Sequence, residues 1–510
     1  MTLADGQTPT STTASHHYVT AGGLGVTRRK ETIVAQGAIE ELIDALDTRR
    51  GVLLSSNYDY PGRYTRWDLG LVDPLLEIVS RDRQLTVNAL CDRGQLLLEP
   101  IGEALKNLAE VEKVASKHKS LSVVVRQAER RFSEEERSRQ PSVFSAIRAI
   151  VQLFSSTEDD QLGLYGAFGY DLTFQFEAIR LKRERPEDQR DMVLYLPEAL
   201  VVVDRQKETA FRYQYDFQFR GQSTRALSAV PYSEPTPGPP ASGLFGSDHA
   251  PGEYAASVRR ARELFKRGDL FELVLGQTFR EPCERKPSQI FRWLLEHNPA
   301  PYALLLNLGQ AEHLVGASPE MYVRVEGKRV ETCPISGTIA RGQDPIQDAE
   351  RIRELLNSEK DESELSMCTD VDRNDKSRIC EPGSVKVIGR RQIELYSRLI
   401  HTVDHVEGIL RPGFDALDAF LTHTWAVTVT GAPKLAAIQR VEDNEKSPRA
   451  WYGGAIGRIG FDGNLNTGLT LRTVRLKQGV AEVRAGATLL YDSDPELEER
   501  ETRVKASAFL

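Results

Sequence analysis

The chain has 510 residues, too many for one ordinary core, so two domains or one unusually large one are expected. Hydrophobic residues make up 40% and charged residues 27%, the balance of a soluble globular protein, and a net charge of -8 without a dominant Lys/Arg block excludes general nucleic-acid binding. No uncharged apolar run reaches membrane-spanning length, and the start, "MTLADGQTPTSTTASHH", lacks the basic end and apolar stretch of a secretory signal.

Residues 1–20 read as a disordered tail. "QLTVNALCDRGQLLLEPI" predicts strands joined by a turn, and "QPSVFSAIRAIVQLF" predicts a helix. "LYGAFGYDL", rich in Gly and aromatics, predicts a turn within a sheet. The Pro/Gly/Ser-rich run over about residues 222–250 has no apolar period and reads as a linker or long surface loop between an N-terminal region (21–221) and a C-terminal one (251–510). Beyond it, Ala256, Val258, Ala261 and Leu264 recur at helical spacing. Gly268 then stops the helix, and "LFELVLGQTF" reads as a strand. Strands and helices mix without strict β-α-β alternation, which favours an α+β fold over a doubly wound parallel sheet. Cys91, Cys283, Cys333, Cys368 and Cys380 are scattered and odd in number, with no C-x-x-C pair. A reducing cytoplasm fits them better than a disulfide framework or a zinc site.

The chain closes with "YDSDPELEERETRVKASAFL", where Asp-Pro followed by good helix formers marks a helix entry. Glu498, Glu501 and Lys505 share a face of that helix, at i, i+3 and i+7. Asp361 and Glu364, three apart in "NSEKDESELSMCTDVDRND", form a second acidic pair on an expected helix. Acids three apart usually mark a wet face. Two such pairs on facing helices could also hold Mg²⁺, a hard ion that takes few carboxylates and keeps positions for water and substrate oxygens.

In order, the stretches "GDLFELVLGQTF", "NPAPYALLL", "GASPEMYVRV", "PISGTIARG", "KDESELSMCTDVDRND", "SRLIHTVDHVEG", "VTVTGAPKLAAI", "WYGGAIGRIGFDG", "LTLRTV" and "RAGATLLYDSDPELEERETRVKA" resemble the chorismate-utilising enzymes, most closely the aminating component (component I) of anthranilate synthase. Upstream, "LLSSNYDYPGRYTRWDLG" resembles the amino-terminal segment of the same family. The wording is most similar to members fused to a glutaminase, and this chain ends at "KASAFL", where those forms continue. The resemblance implies two large, mainly antiparallel sheets flanked by helices with the active site between them. It also implies a Mg²⁺-dependent lyase of tryptophan biosynthesis in the cytoplasm, acting on chorismate with ammonia from a glutaminase subunit, as an oligomer. Amination at ring carbon 2 followed by loss of pyruvate gives anthranilate. An enzyme that stops after amination and releases aminodeoxyisochorismate is the alternative.

Carried over residue by residue, the resemblance implies Asp361, Glu364, Glu498 and Glu501 as metal acids, with Asp361 standing where Glu is usual, and Lys505 beside the ring carboxylate. Thr428, Thr430 and Gly431 precede an expected helix in "APKLAAIQRV", whose start could bind an anion or be capped by Thr430. Family matching favours Thr428 and Gly431 as substrate contacts. Tyr452 and Arg472 match residues gripping the enolpyruvyl carboxylate, for which the Arg fork is suited. Gly486 and Ala487 of "RAGAT" match a close backbone approach to substrate, with Thr488 in place of a usual second Gly. Glu320 matches the acid that protonates the departing hydroxyl, and His401 an active-site histidine that orients substrate or assists proton movement. Glu272 stands where water-adding relatives have a Lys base and anthranilate synthases commonly have Gln. It is expected to accept hydrogen bonds from ammonia or ammonium. Ser56, Pro301 and Tyr302 match the region where tryptophan binds as feedback inhibitor, with Ser55 replacing the usual acid.

Overall fold

The computed structural model describes residues 13–128, 132–233, 245–507 and 509. Two antiparallel sheets, of 14 and 13 strands, build it. Each sheet takes its path from both sides of the Pro/Gly/Ser-rich run. In the first, Gly51–Ser56 pairs with Tyr302–Asn307, placing Leu54 opposite Leu304. In the second, Gly163–Phe168 pairs with Ala455–Gly460. A single large apolar cluster then draws on both regions, including Leu54, Phe168, Tyr302, Trp425 and Ala487. The two regions therefore share a main core, and a smaller apolar cluster, including Leu53, Leu305 and Val483, also draws on both. The run itself is tied in at both ends: Gln222–Ser223 pairs with Gln218 and Phe219, and Gly246–Ser247 pairs with Phe279 and Arg280. Residues 234–244 of it lie outside the described part.

Three local expectations change. Residues 13–19 of the expected tail form a strand against Gly25–Ile33, and residues 1–12 lie outside the described part. It is an edge strand with only Tyr18 buried, so the sequence "TASHHYV" carries almost no apolar pattern to betray it. Within "QLTVNALCDRGQLLLEPI", only Gln84–Ala89 is a strand, and Asp92–Lys106 is a helix. Its buried Leu97, Leu98, Ile101 and Leu105 follow a helical period that the dense "LLLEPI" run disguises. "LYGAF" is no turn: Gly163–Phe168 is a central strand with every residue buried, and the chain turns afterwards through the 3₁₀ segment Tyr170–Gln175. The helices expected within 141–154, 253–266, 359–377 and 495–507 all form. Among the described residues, no helix is long and apolar enough to cross a membrane. All five cysteines are free thiols.

Candidate active site

Two crossings between the sheets bring the chemistry together. Strand Glu312–Ser318 of the first sheet passes into Met321–Glu326 of the second through Pro319 and Glu320. Leu465–Leu469 of the second sheet returns to Thr473–Lys477 of the first through a bend that carries Arg472. The crossings are stitched by Leu469 N–H donating to the Glu320 carbonyl at 3.0 Å and Ala317 N–H donating to the Arg472 carbonyl at 3.1 Å. Arg472 has φ +49°, a left-handed backbone unfavourable for a residue with a Cβ, held by these flanking strands.

Glu320 is 4% exposed, and the Thr428 hydroxyl donates to its Oε1 at 2.8 Å. Burial pushes its carboxyl up to about 8, with Asp372 adding to the rise, against the lowering effects of Thr428 and Arg472. The group is thus a carboxylic acid at neutral pH, poised to give up a proton. Arg472 donates to His401 Nε2 at 3.1 Å. A guanidinium can only donate, so Nε2 accepts and Nδ1 carries the hydrogen toward Thr338 Oγ1 at 2.9 Å. Burial and the Arg472 charge hold His401 well below its ordinary value, hence neutral. This geometry makes His401 the group that aims Arg472. Tyr396 completes the support: its ring meets His401 edge-on at 5.2 Å and stacks on Tyr58 at 4.6 Å, while its hydroxyl donates to Glu394 at 2.7 Å. Neither Thr338 nor Tyr396 is anticipated from the sequence. The signal available was strand register, which sets Thr338 directly across from His401.

Tyr452 lies beside Gly486, where a Cβ would come within 2.7 Å of the tyrosine hydroxyl; this close approach is what requires glycine there. Gly486 pairs with Gly276 and Ala487 with Leu275 on strand Glu272–Pro282, so both substrate-binding candidates sit on the strand next to Glu272. Thr488 opposes Val274. Gly431, at φ +119°, pairs with Leu273, and a Cβ there would meet the Glu272 carbonyl at 2.3 Å. Thr430 does not cap the following helix. Its hydroxyl donates to the Ala426 carbonyl at 2.9 Å, and Lys434–Asn444 begins only after Pro433, because Gly431–Ala432 is first drawn into the sheet. Glu272 is fully buried, and burial followed by the neighbouring Glu364 raises its carboxyl well above the carboxylate range. Its Oε2 lies 3.9 Å from the Cys368 thiol, and its Oε1 has no hydrogen bond.

The acids of the last helix divide into two jobs. Glu499 accepts the N–H groups of Gly252 and Ala255 at 3.1 and 3.0 Å, capping from outside the helix Glu253–Lys266, whose own N-cap is a glycine; Glu496 pairs with Arg259. Glu499→Ala should therefore lower stability by about 0.5–2 kcal/mol, read as a fall in thermal midpoint with KM for substrate unchanged. Glu498 and Glu501 are free of that duty. Lys505 pairs with Glu501 at 2.6 Å and donates to the Gly486 carbonyl at 3.0 Å, while Lys360 lies 4.0 Å from Glu498. Glu364, on the other acidic helix, is raised by burial and by Asp361 and feels the same two lysines. Burial and Glu501 likewise raise Glu498. The two acidic pairs thus face each other across Lys360 and Lys505. The donors are all carboxylate oxygens, the set a hard divalent ion takes. Among the described residues, however, no three acidic, His or Cys groups stand close enough to hold an ion as they are. Lys360 and Lys505 supply compensating charge to Glu364 and Glu498. Lys360, adjacent to Asp361, is a third residue the sequence reading passes over.

Ser56 is buried, and the Asn57 N–H donates to the Ala300 carbonyl at 3.3 Å, which brings Ser56 beside Pro301 and Tyr302. The Tyr302 hydroxyl donates to Asn466 at 3.0 Å. Ser55 donates to Asp68 at 2.6 Å, so a buried carboxylate stands one strand over from the position where the acid is missing.

A buried acid, an aimed guanidinium and a carboxylate-lysine cluster at the junction of two antiparallel sheets define an enzyme cleft for an anionic substrate. The model of the chorismate binding enzyme family matches residues 108–510, and the chain belongs to that family. It is similar to the anthranilate synthase of Azospirillum brasilense, with 57% identity over 495 residues that cover 96% of this chain and 67% of that protein. It is also similar to anthranilate synthase component 1 of Vibrio cholerae serotype O1, with 32% identity over 91% of each chain. Among solved structures, anthranilate synthase component I from Streptococcus pneumoniae TIGR4 superposes with a TM-score of 0.64 at 26% identity, covering 89% of this chain and 93% of that one. The menaquinone-specific isochorismate synthase of Escherichia coli shares the fold, with a TM-score of 0.60 at 14% identity over 94% of this chain and 99% of that one.

Proposed function

We propose that this chain is the aminating component of an anthranilate synthase. Ammonia, delivered by a glutaminase partner, adds to ring carbon 2 of chorismate, the 4-hydroxyl departs, and pyruvate is then lost to give anthranilate. The observation that carries this reading is the Glu320 carboxyl, buried and held protonated up to about 8, in the same cleft as Arg472. Glu320 donates its proton to the leaving hydroxyl. Arg472, aimed by His401, and Tyr452 hold the enolpyruvyl carboxylate. Thr428 keeps the Glu320 carboxyl oriented, and Lys505 faces the ring carboxylate. Glu272 is a buried carboxyl, so the Lys base that water-adding relatives carry at this position is absent. Its unpaired Oε1 suits acceptance of an N–H from the incoming nucleophile.

Glu364, Glu498, Glu501 and Asp361 are the residues that would hold Mg²⁺. When bound, the ion supplies positive charge that fixes the ring carboxylate and withdraws electrons from the ring. The region around Ser56, Pro301 and Tyr302 is the proposed seat of tryptophan as inhibitor.

The test is incubation of the purified chain with chorismate, MgCl₂ and ammonium chloride. Anthranilate fluorescence with stoichiometric pyruvate is expected, lost on chelation of Mg²⁺, and glutamine should replace ammonium only when a glutaminase is added. An aminated product that keeps its enolpyruvyl group would show that the enzyme stops at aminodeoxyisochorismate. Chorismate binding without turnover would refute catalysis altogether.

A further inference from the structure

Arg63 sits in the turn between strands Gly51–Ser56 and Trp67–Val72, closed by a bridge between Tyr60 and Tyr64, yet it is only 4% exposed. Its guanidinium lies over the Tyr60 ring, 4.6 Å from the centroid. It donates to Gln392 Oε1 and, 331 residues along the chain, to Glu394 Oε1. Glu394 is fully buried, and its other carboxylate oxygen accepts the Tyr396 hydroxyl at 2.7 Å. That hydroxyl also lies 3.3 Å from the carbonyl of Pro319, the residue before Glu320. The Tyr396 ring is held on two further sides, by the Tyr58 stack with planes 2° apart and by the T-shaped contact with His401 at 71°. Tyr58 and Arg63 belong to the N-terminal region. The ring they hold touches the histidine that aims Arg472.

Burying an ion pair costs desolvation that its Coulomb attraction scarcely returns, and an apolar plug of the same volume is often as stable. Stability is therefore not what sets the Arg63–Glu394 pair apart from such a plug. What the pair supplies is direction. The carboxylate, gripped by Arg63 through one oxygen, presents the other to the Tyr396 hydroxyl and so fixes the ring that carries it. The His401 imidazole has one hydrogen bond on each nitrogen, with Thr338 and from Arg472. One of those partners is the group to be aimed, so the ring needs a further constraint, and Tyr396 provides it. We propose that Arg63 and Glu394 are positioning residues for substrate binding: through Tyr396 and His401 they set the direction of Arg472. The N-terminal region thereby shapes the grip on chorismate at one remove. The inference rests on the reading of Arg472 as the residue that holds the enolpyruvyl carboxylate.

Two changes test it in the full chain with ammonium as nitrogen source. Tyr396→Phe keeps the ring and removes only the hydroxyl. Arg63→Met combined with Glu394→Gln removes both charges together, so that neither is left buried alone. Each is expected to raise KM for chorismate about fivefold or more, the loss of one hydrogen bond, while kcat and KM for ammonium stay put. In an Arg472→Ala background the same changes are expected to leave KM for chorismate where it stands, because no guanidinium remains to be aimed. A merely structural network would instead lower the thermal midpoint and shift KM by the same factor in both backgrounds. An unchanged chorismate KM in Tyr396→Phe, or equal factors in the two backgrounds, would overturn the proposal. Tyr396→Phe gives that answer even if the double replacement does not fold. An Arg472→Ala variant with wild-type KM for chorismate sinks the carboxylate reading of Arg472 itself, whereas a raised KM there with an inert Tyr396→Phe sinks only the positioning roles of Arg63 and Glu394.

Discussion

Glu320→Gln is expected to lower kcat about 10²–10⁴-fold with little effect on KM for chorismate, the usual contribution of a positioned general acid. Gln keeps the size and accepts the Thr428 hydrogen bond but has no acidic proton to give. The pH profile supplies the second readout. The acid form of Glu320 exists below about 8, so wild-type turnover should be flat through neutrality and fall as pH rises past that value. The residual activity of the Gln variant should lack that alkaline limb. Stability carries the same signature. The raised folded-state value means that the folded chain binds an extra proton between the ordinary 4.5 and about 8. That contribution is complete below the unfolded value and is lost as pH rises through the folded one. The Gln variant should lose less stability than wild type between pH 5 and 8.5, measured by denaturant titration at both ends. A Gln variant with wild-type kcat would remove Glu320 from the reaction.

Arg472→Ala is expected to raise KM for chorismate by roughly 10- to 150-fold, the equivalent of about 1.5–3 kcal/mol for a charge-assisted carboxylate contact. Lys in its place should recover little, since a point charge lacks the planar fork and cannot both grip a carboxylate and donate to His401. The backbone adds to this result. The left-handed φ of +49° persists only because both flanking strands over-determine the bend, which is a sign that this side chain is aimed by the fold. His401→Gln, which keeps an acceptor near Arg472, should raise KM less than Arg472→Ala. If kcat collapsed instead while KM held, His401 would be moving a proton itself and the orienting role would fail.

Much of the site could be listed in advance as residues but not as geometry. Glu498, Glu501 and Lys505 share a helix face because i, i+3 and i+7 must do so, whatever surrounds them, and the Glu501–Lys505 pair at 2.6 Å follows from that spacing. The resemblance singled out Glu498 and Glu501, but what the other two glutamates do was not readable. Glu496 and Glu499 are drawn off by Arg259 and by the N-terminus of a helix some 240 residues earlier in the chain, partners no local pattern points to. The alternative of a Thr430 cap failed for a similar reason. A two-residue pairing with Leu273 delays the helix to Lys434, and sheet pairing across some 160 residues is invisible to a local signal.

The sequence by itself determined the helices with clear apolar period, through short-range spacing, and the family, through motifs in a fixed order; by that resemblance it named an acid, an arginine and two acidic pairs as candidates. The tertiary structure alone decided that both regions share two sheets and a main core. It decided that Glu320 and Arg472 meet because two strands cross between those sheets at neighbouring points. It also decided that His401 aims a guanidinium as a neutral ring and that Lys360 and Lys505 bring their charge to both Glu364 and Glu498. These are consequences of long-range pairing and burial, which set distance, protonation and charge balance, and no stretch of sequence encodes them on its own.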